Sequence, residues 1–332
     1  MEFNKLKDVP SLHQIKLVAK QIEDLVLKSP LVYAPRLSES FGANIYLKRE
    51  DLQGVRSYKI RGAYHKIMNI PEDLRSQGVV AASAGNHAQG VALSCAKLNI
   101  QAYIFMPKTT PLQKVEAVRF HGKEKVRIKL VGNTFDEAYA AAQAFCEETR
   151  AIFIPPFDDY DIIAGQATVT LEILDQLALP ADYLFLAIGG GGLAAGASLV
   201  LKDLSPSTQL IGVEPELAPS MSASLAAQEV VTLPEIDSFV DGASVKRVGS
   251  KNFAIVETEL NRMVLVNKKL LCQTMLDLYE FYGMIVEPAG ALSVAALEQM
   301  RTEIKGKTIV CVISGGNFDT KRFPEIKLIA QN

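Results

Sequence analysis

Asp182-Tyr183-Leu184-Phe185-Leu186-Ala187-Ile188-Gly189-Gly190-Gly191-Gly192-Leu193-Ala194-Ala195-Gly196-Ala197 is the stretch from which the fold is read. An apolar run meets four glycines, and small helix-forming residues follow. The order predicts strand, turn, helix. Glycines have no Cβ, so their N–H groups lie open, and the helix start behind them favours negative charge. The turn therefore predicts a phosphate site. No Lys-Ser or Lys-Thr pair follows, so the nucleotide-triphosphate P-loop is a poor match. The run 183–201 is uncharged and long enough to raise a membrane span. Its glycine block divides it, and strand-turn-helix accounts for it better.

Outward from this stretch, short β-branched or aromatic runs alternate with longer Ala- and Leu-rich runs. Strands are expected at 45–48, 79–82, 101–106, 127–130, 184–188, 209–213 and 309–313. Helices are expected at 57–69, 85–98, 112–121, 134–149, 165–177, 193–204, 268–282 and 289–300. Such alternation predicts an α/β architecture with mostly parallel sheets. The segment Pro155-Pro156-Phe157-Asp158-Asp159 reads as a loop. It divides a small lobe, 73–154, from a large one built of 1–72 plus 155–332. A length of 332 residues suits two such units, and 48% hydrophobic residues can supply their cores.

A formal net charge of −2 gives no bulk attraction to nucleic acid or acidic membrane. There is no Trp, and nothing resembles a base-stacking platform. Cys95, Cys146, Cys272 and Cys311 form no C-x-x-C pair, and Cys95 and Cys311 read as buried free thiols. The N-terminus mixes charges and lacks a signal core. A cytoplasmic protein is expected. The basic segment 123–129 reads as a solvated face.

Three further sites carry possible chemistry. Lys59, in Arg56-Ser57-Tyr58-Lys59-Ile60-Arg61, opens a helix at its positive dipole end. Desolvation and the neighbours Arg56 and Arg61 would lower its pKa, as a Schiff-base lysine requires. An ordinary exposed lysine is the competing reading. Ser83-Ala84-Gly85-Asn86-His87 turns a strand into a helix and is sized for a carboxylate, unless Ser83 merely caps the helix. Ser314-Gly315-Gly316-Asn317 presents a hydroxyl at a strand end, or is a plain turn. Glu287-Pro288 starts a helix, and Glu287 there complements its dipole. His13, His65 and His121 look unremarkable, and no spacing suggests a metal. Two anion sites, an amine and a neutral hydroxyl suit pyridoxal phosphate with an amino-acid substrate. A rival stands beside this: 190–195 also fits G-x-G-x-x-A, with Glu214 ending the next strand, as in an NAD-dependent dehydrogenase. That reading leaves Lys59, Ser83 and Ser314 without a shared task.

On these segments, and on Asp241-Gly242-Ala243, the chain resembles the fold-type II pyridoxal-phosphate enzymes, and among them the threonine dehydratases of the serine/threonine dehydratase family. The segments occur in family order over nearly the whole length. Tyr46-Leu47-Lys48-Arg49-Glu50-Asp51 leans towards the biosynthetic members.

The resemblance implies a fold of the tryptophan synthase β type, two open α/β lobes with the site between them. It implies that Lys59 binds the cofactor covalently and shuttles the Cα proton, with Tyr58 beside the ring. Asn86 meets the ring hydroxyl, Ser314 the pyridine nitrogen, and Gly189, Gly190, Gly191, Gly192 and Leu193 the phosphate. Gly242 and Glu287 lie near the cofactor. Ser83, Ala84, Gly85, Asn86 and His87 border the substrate carboxylate. The implied reaction turns L-threonine, and L-serine more slowly, into a 2-oxoacid and ammonia, at the first step of isoleucine biosynthesis. Serine and hydroxyaspartate dehydratases are the near alternatives. A neutral Ser314 would leave the ring nitrogen unprotonated and disfavour transamination. Ala84 replaces the serine of racemases. Ser220 stands where metal-binding relatives carry an acid, so no metal is expected. Ala167 replaces a common glycine. No residues remain for a C-terminal regulatory domain, so feedback by isoleucine is not expected. A homodimer or homotetramer is implied.

Overall fold

A computed structural model describes residues 8–331. Among the described residues ten strands form: β1 (Leu31–Tyr33), β2 (Asn44–Arg49), β3 (Val79–Ala82), β4 (Ala102–Met106), β5 (Val126–Leu130), β6 (Ile152–Phe153), β7 (Tyr183–Ala187), β8 (Gln209–Pro215), β9 (Arg262–Val266) and β10 (Thr308–Ile313). One sheet runs β1-β2-β10-β7-β8-β9 and the other β5-β4-β3-β6. Every pairing is parallel except β1 with β2. This is the expected α/β architecture of two mostly parallel sheets.

Alternation along the strands explains the burial of both faces. On β10, Ile309, Cys311 and Ile313 join one apolar cluster, while Val310 and Val312 join another across the sheet. On β7, Phe185 goes with the first set and Leu184 and Leu186 with the second. Parallel strands covered by helices on both sides read as unbroken apolar runs, which made them legible. The smaller sheet repeats the arrangement, with Val79 and Ala81 on one face and Val80 and Ala82 on the other.

Each sheet reverses its strand order at one place. From β7 the chain steps outward to β8 and β9, and β10 returns on the other side. From β3 it steps to β4 and β5, and β6 returns on the other side. Open α/β sheets bind ligands at the strand ends flanking such a reversal. Here those ends are the tetraglycine after β7, Ser314 after β10 and the Ser83 turn after β3.

The short strands β1, β6 and β9 and the helices Leu12–Gln21, Pro35–Phe41, Ser220–Ala227, Ser250–Glu259 and Phe323–Gln331 escape the sequence reading. The helix expected at 165–177 begins earlier, as Tyr160–Gln176, because Asp159 caps it by accepting from Asp161 and Ile162. Ser57 lies outside the helix Lys59–Met68, in an extended bridge to Gly315. All four cysteines are free. Among the described residues no helix is long and apolar enough to cross a membrane.

Candidate active site

Lys59 is fixed by the way its helix is wedged. A methyl group placed on Gly165, in the helix Tyr160–Gln176, would lie 2.5 Å from Gly62 Cα. The two helices thus touch backbone to backbone. On the other side the helix Asn86–Leu98 packs at Gly90, where a methyl would lie 3.3 Å from the backbone of Lys59 and Ile60. Ahead of Lys59, Arg56 adopts a left-handed turn (φ 57°), and its carbonyl accepts from Gly316 N at 2.8 Å. Tyr58 N donates to Ser314 O at 3.2 Å. Lys59 is thereby tied to the end of β10.

The Lys59 Nζ donates to Pro156 O at 2.9 Å. The Tyr58 and Phe157 ring centroids lie 5.4 and 5.9 Å from it. The side chain is half-buried, and burial dominates the surroundings of its amine. Desolvation pushes its pKa down to about 8, and the Glu287 carboxylate opposes that shift. The expectation that Arg56 and Arg61 lower it is corrected. Arg56 reaches Ile285 O, and Arg61 is buried in paired contacts with Glu50 and Glu172. Their charge is directed elsewhere.

The Ser83 turn also differs from its simplest reading. Ser83 does not cap the helix; its Oγ accepts from Gly85 N at 3.2 Å, and Gly85 occupies the cap position without a side-chain bond. The helix start is left open, and the space beside Gly85 is empty to 4 Å. An open helix start is what a carboxylate needs. His87 is buried, with Nε2 against Ile154 O at 2.8 Å. Burial, then the nearby Lys59, push its pKa down to about 3, so the ring is neutral. Ala84 brings no hydroxyl to this turn.

At the start of the same helix, Asn86 Nδ2 donates to Glu287 Oε1 at 2.6 Å, and Asn86 Oδ1 accepts from Asn317 Nδ2 at 2.7 Å. Asn317 Nδ2 also reaches Val55 O at 2.8 Å. Burial, with Asp241 adding to it, pushes the Glu287 carboxyl up to about 7, while Asn86 and Lys114 pull it down. Glu287 sits at the cap position of the helix Pro288–Ala295 but makes no cap bond. The expectation that it serves the helix dipole gives way to its bond with Asn86. Gly242 adjoins it, since a methyl there would lie 3.4 Å from Glu287 Oε1. Ser314 Oγ is buried and donates to Ala289 O at 3.2 Å.

After β7, Gly191 takes φ 94° and starts the helix Gly192–Leu204, which no side chain caps. Leu193 is buried behind it. Gly190 O is held by Gly249 N at 3.0 Å and Asn252 Nδ2 at 2.7 Å. Glu214 cannot serve a dinucleotide ribose. It is fully buried and caps the helix Ser220–Ala227, accepting from Met221 N at 2.6 Å and from Ser222 N and Oγ at 3.0 and 2.7 Å. Among the described residues no group of three or more His, Cys, Asp or Glu is placed to hold a metal ion.

The candidate residues thus gather at the reversal points of the two sheets. Sequence reasoning missed Pro156, whose carbonyl holds Lys59, and Phe157. It also missed Asp158, which accepts from Ser250 and Lys251 N, and Asn252. The double proline signals a loop; nothing local says where the loop folds back.

A family model for pyridoxal-phosphate-dependent enzymes matches residues 22–315, and the chain belongs to that family. Pyridoxal phosphate is its cofactor. The biosynthetic L-threonine dehydratase of Bacillus subtilis is 49% identical over 320 residues, covering 96% of this chain and 76% of that relative. The processed form of threonine deaminase isoform 2 from Solanum lycopersicum superposes with a TM-score of 0.91 at 38% identity, covering 98% of this chain and 91% of that one. Maize serine racemase gives 0.90 at 28%, covering 97% and 98%.

The residues present fit the cofactor. The uncapped glycine turn suits its phosphate, and the desolvated Lys59, held only by a carbonyl, suits its aldehyde.

Proposed function

We propose that this enzyme removes the Cα proton and β-hydroxyl of L-threonine as water, and that water then displaces ammonia from the resulting enamine, giving 2-oxobutanoate, with L-serine a slower substrate, at the first step of isoleucine biosynthesis. The observation that carries the reading is the buried, depressed Lys59 amine beside an open helix start at Gly85. The 49% identity to a biosynthetic L-threonine dehydratase supports the substrate.

When bound, the cofactor supplies an electron sink conjugated to the substrate's Cα. The tetraglycine N–H groups would hold its phosphate, and Asn86 and Ser314 would hold its ring. The N–H groups at the start of the helix Asn86–Leu98 receive the substrate carboxylate and orient Cα. Lys59 Nζ, whose pKa burial lowers to about 8, takes the Cα proton. Neutral His87 holds its place without competing for that proton. Ala84 offers no second proton donor, which favours elimination over racemisation.

A panel of L-threonine, L-serine and hydroxyaspartate with 2-oxoacid detection tests this. L-Threonine should give the highest kcat/KM, and Lys59→Ala should abolish turnover and the yellow chromophore. A higher kcat/KM for either other substrate would reassign the enzyme within the family. We further propose a cytoplasmic homodimer or homotetramer, with residues 73–154 as a small lobe; light scattering reads the assembly directly.

A further inference from the structure

The helix Ser250–Glu259 is not accounted for by the reaction, yet its first turn grips the phosphate turn. Asn252 is fully buried and its Nδ2 donates to Gly190 O at 2.7 Å. Gly249 N donates to the same oxygen at 3.0 Å. Asn252 also packs against the left-handed Gly191, where a methyl would lie 3.0 Å from Asn252 Cβ. The helix is itself anchored from a third element. Asp158 accepts from Ser250 N at 3.1 Å and Lys251 N at 2.8 Å, and Phe157 beside it covers Gly190 and Gly192.

We propose that Asn252 is a positioning residue for the cofactor's phosphate, acting through the Gly190 carbonyl, with Asp158 fixing the helix that carries it. A four-glycine turn is loose by nature, because glycine has the widest choice of backbone angles. Its N–H groups serve an anion only if their directions are set beforehand. Turning the Gly190 carbonyl back into the protein leaves the N–H groups that follow free to face outward. Asn252 Oδ1 is buried without a partner, so the side chain is held by its donor end and by packing. The inference rests on the proposed assignment of the phosphate to the tetraglycine.

The test compares two forms of the cofactor by equilibrium binding to the resolved enzyme. Asn252→Ala should weaken pyridoxal phosphate about tenfold or more, the scale of a lost buried hydrogen bond. Pyridoxal, which lacks the phosphate, should bind within about twofold of wild type. Asn252→Asp, which keeps the size but loses the donor, should behave like Asn252→Ala. Equal weakening of both cofactor forms, or no weakening, would overturn the proposal. Gly191→Ala is the reference: if it shows no phosphate-selective loss, the phosphate assignment itself fails. If it does and Asn252→Ala does not, only the clamp fails. Should Asn252→Ala not fold, Asp158→Asn carries the same comparison with the same two outcomes.

Discussion

At the scale of single residues, Glu287 is a carboxyl whose surroundings its sequence context does not foretell. Its carboxyl titrates at about 7 rather than the ordinary 4.5, first because it is buried and then because Asp241 is near. The folded state therefore holds this proton more tightly than the unfolded chain. That contribution to stability is complete below pH 4.5 and is lost as pH rises through about 7. In the cofactor-free protein, chemical denaturation of wild type and Glu287→Gln should show it. Wild type should lose about 3 kcal/mol relative to the variant across that window. Parallel pH profiles would rule the shift out. A reader of the sequence sees Glu-Pro and infers a helix start, which is correct locally. The carboxylate's partner, Asn86, lies 201 positions away and only folding brings it close.

At the scale of elements, the placing of Lys59 depends on a helix crossing without side chains. Gly62 and Gly165 let two helices meet at backbone distance, and the crossing sets where Lys59 emerges. Gly165→Ala should cost about 1–3 kcal/mol by overpacking. It should also lower kcat, because the Lys59 helix must move away to make room. An unchanged kcat with normal stability would show that the crossing has slack. The neighbouring contact between Gly196 and Ala167 is just as close, a methyl on Gly196 lying 2.6 Å from Ala167 N. Ala167, read from sequence as a small departure, is thus a packing residue facing a glycine. Among the helices that escaped the sequence reading, Leu12–Gln21 carries a local capping box of Ser11 and Gln14, whereas Ser250–Glu259 starts at Gly249 with no side-chain cap of its own. Asp158 anchors that one from 92 positions away.

For the whole molecule, the two sheets meet around the site, and one ion pair crosses between their parts at its edge. Lys114, on the helix Leu112–Gly122 beside the four-stranded sheet, pairs with Asp241, next to Gly242. Gln113 Nε2 adds a bond to Phe318 O at 3.4 Å. The pair is partly exposed, at 25% and 43%, so Lys114→Ala should cost less than about 1 kcal/mol of stability. We predict that its effect lies instead in holding the helix Leu112–Gly122 against the segment beside Gly242: KM for L-threonine should rise several-fold with kcat within about twofold. Salt should raise the wild-type KM towards the variant's. A KM that the substitution leaves unchanged would remove the pair from that role.

The sequence by itself determined the α/β class, the strand-turn-helix at the tetraglycine and the turns at Ser83 and Ser314, and its resemblance to a family pointed to pyridoxal phosphate over the dinucleotide rival. These are local: apolar runs make buried parallel strands, and glycines at strand ends leave backbone donors bare. The tertiary structure decided how these parts become one site. It freed the helix start at Gly85 by turning Ser83 inward, and it lowered Lys59 by burial rather than by neighbouring charge. It spent Glu214 on a helix cap, and so removed the dinucleotide reading. It also placed Pro156, Asn252 and Asn317 beside groups far from them in the chain. The reason is physical. Desolvation and hydrogen-bond partnership depend on what surrounds an atom in space, and periodicity along the chain records only which face it turns inward.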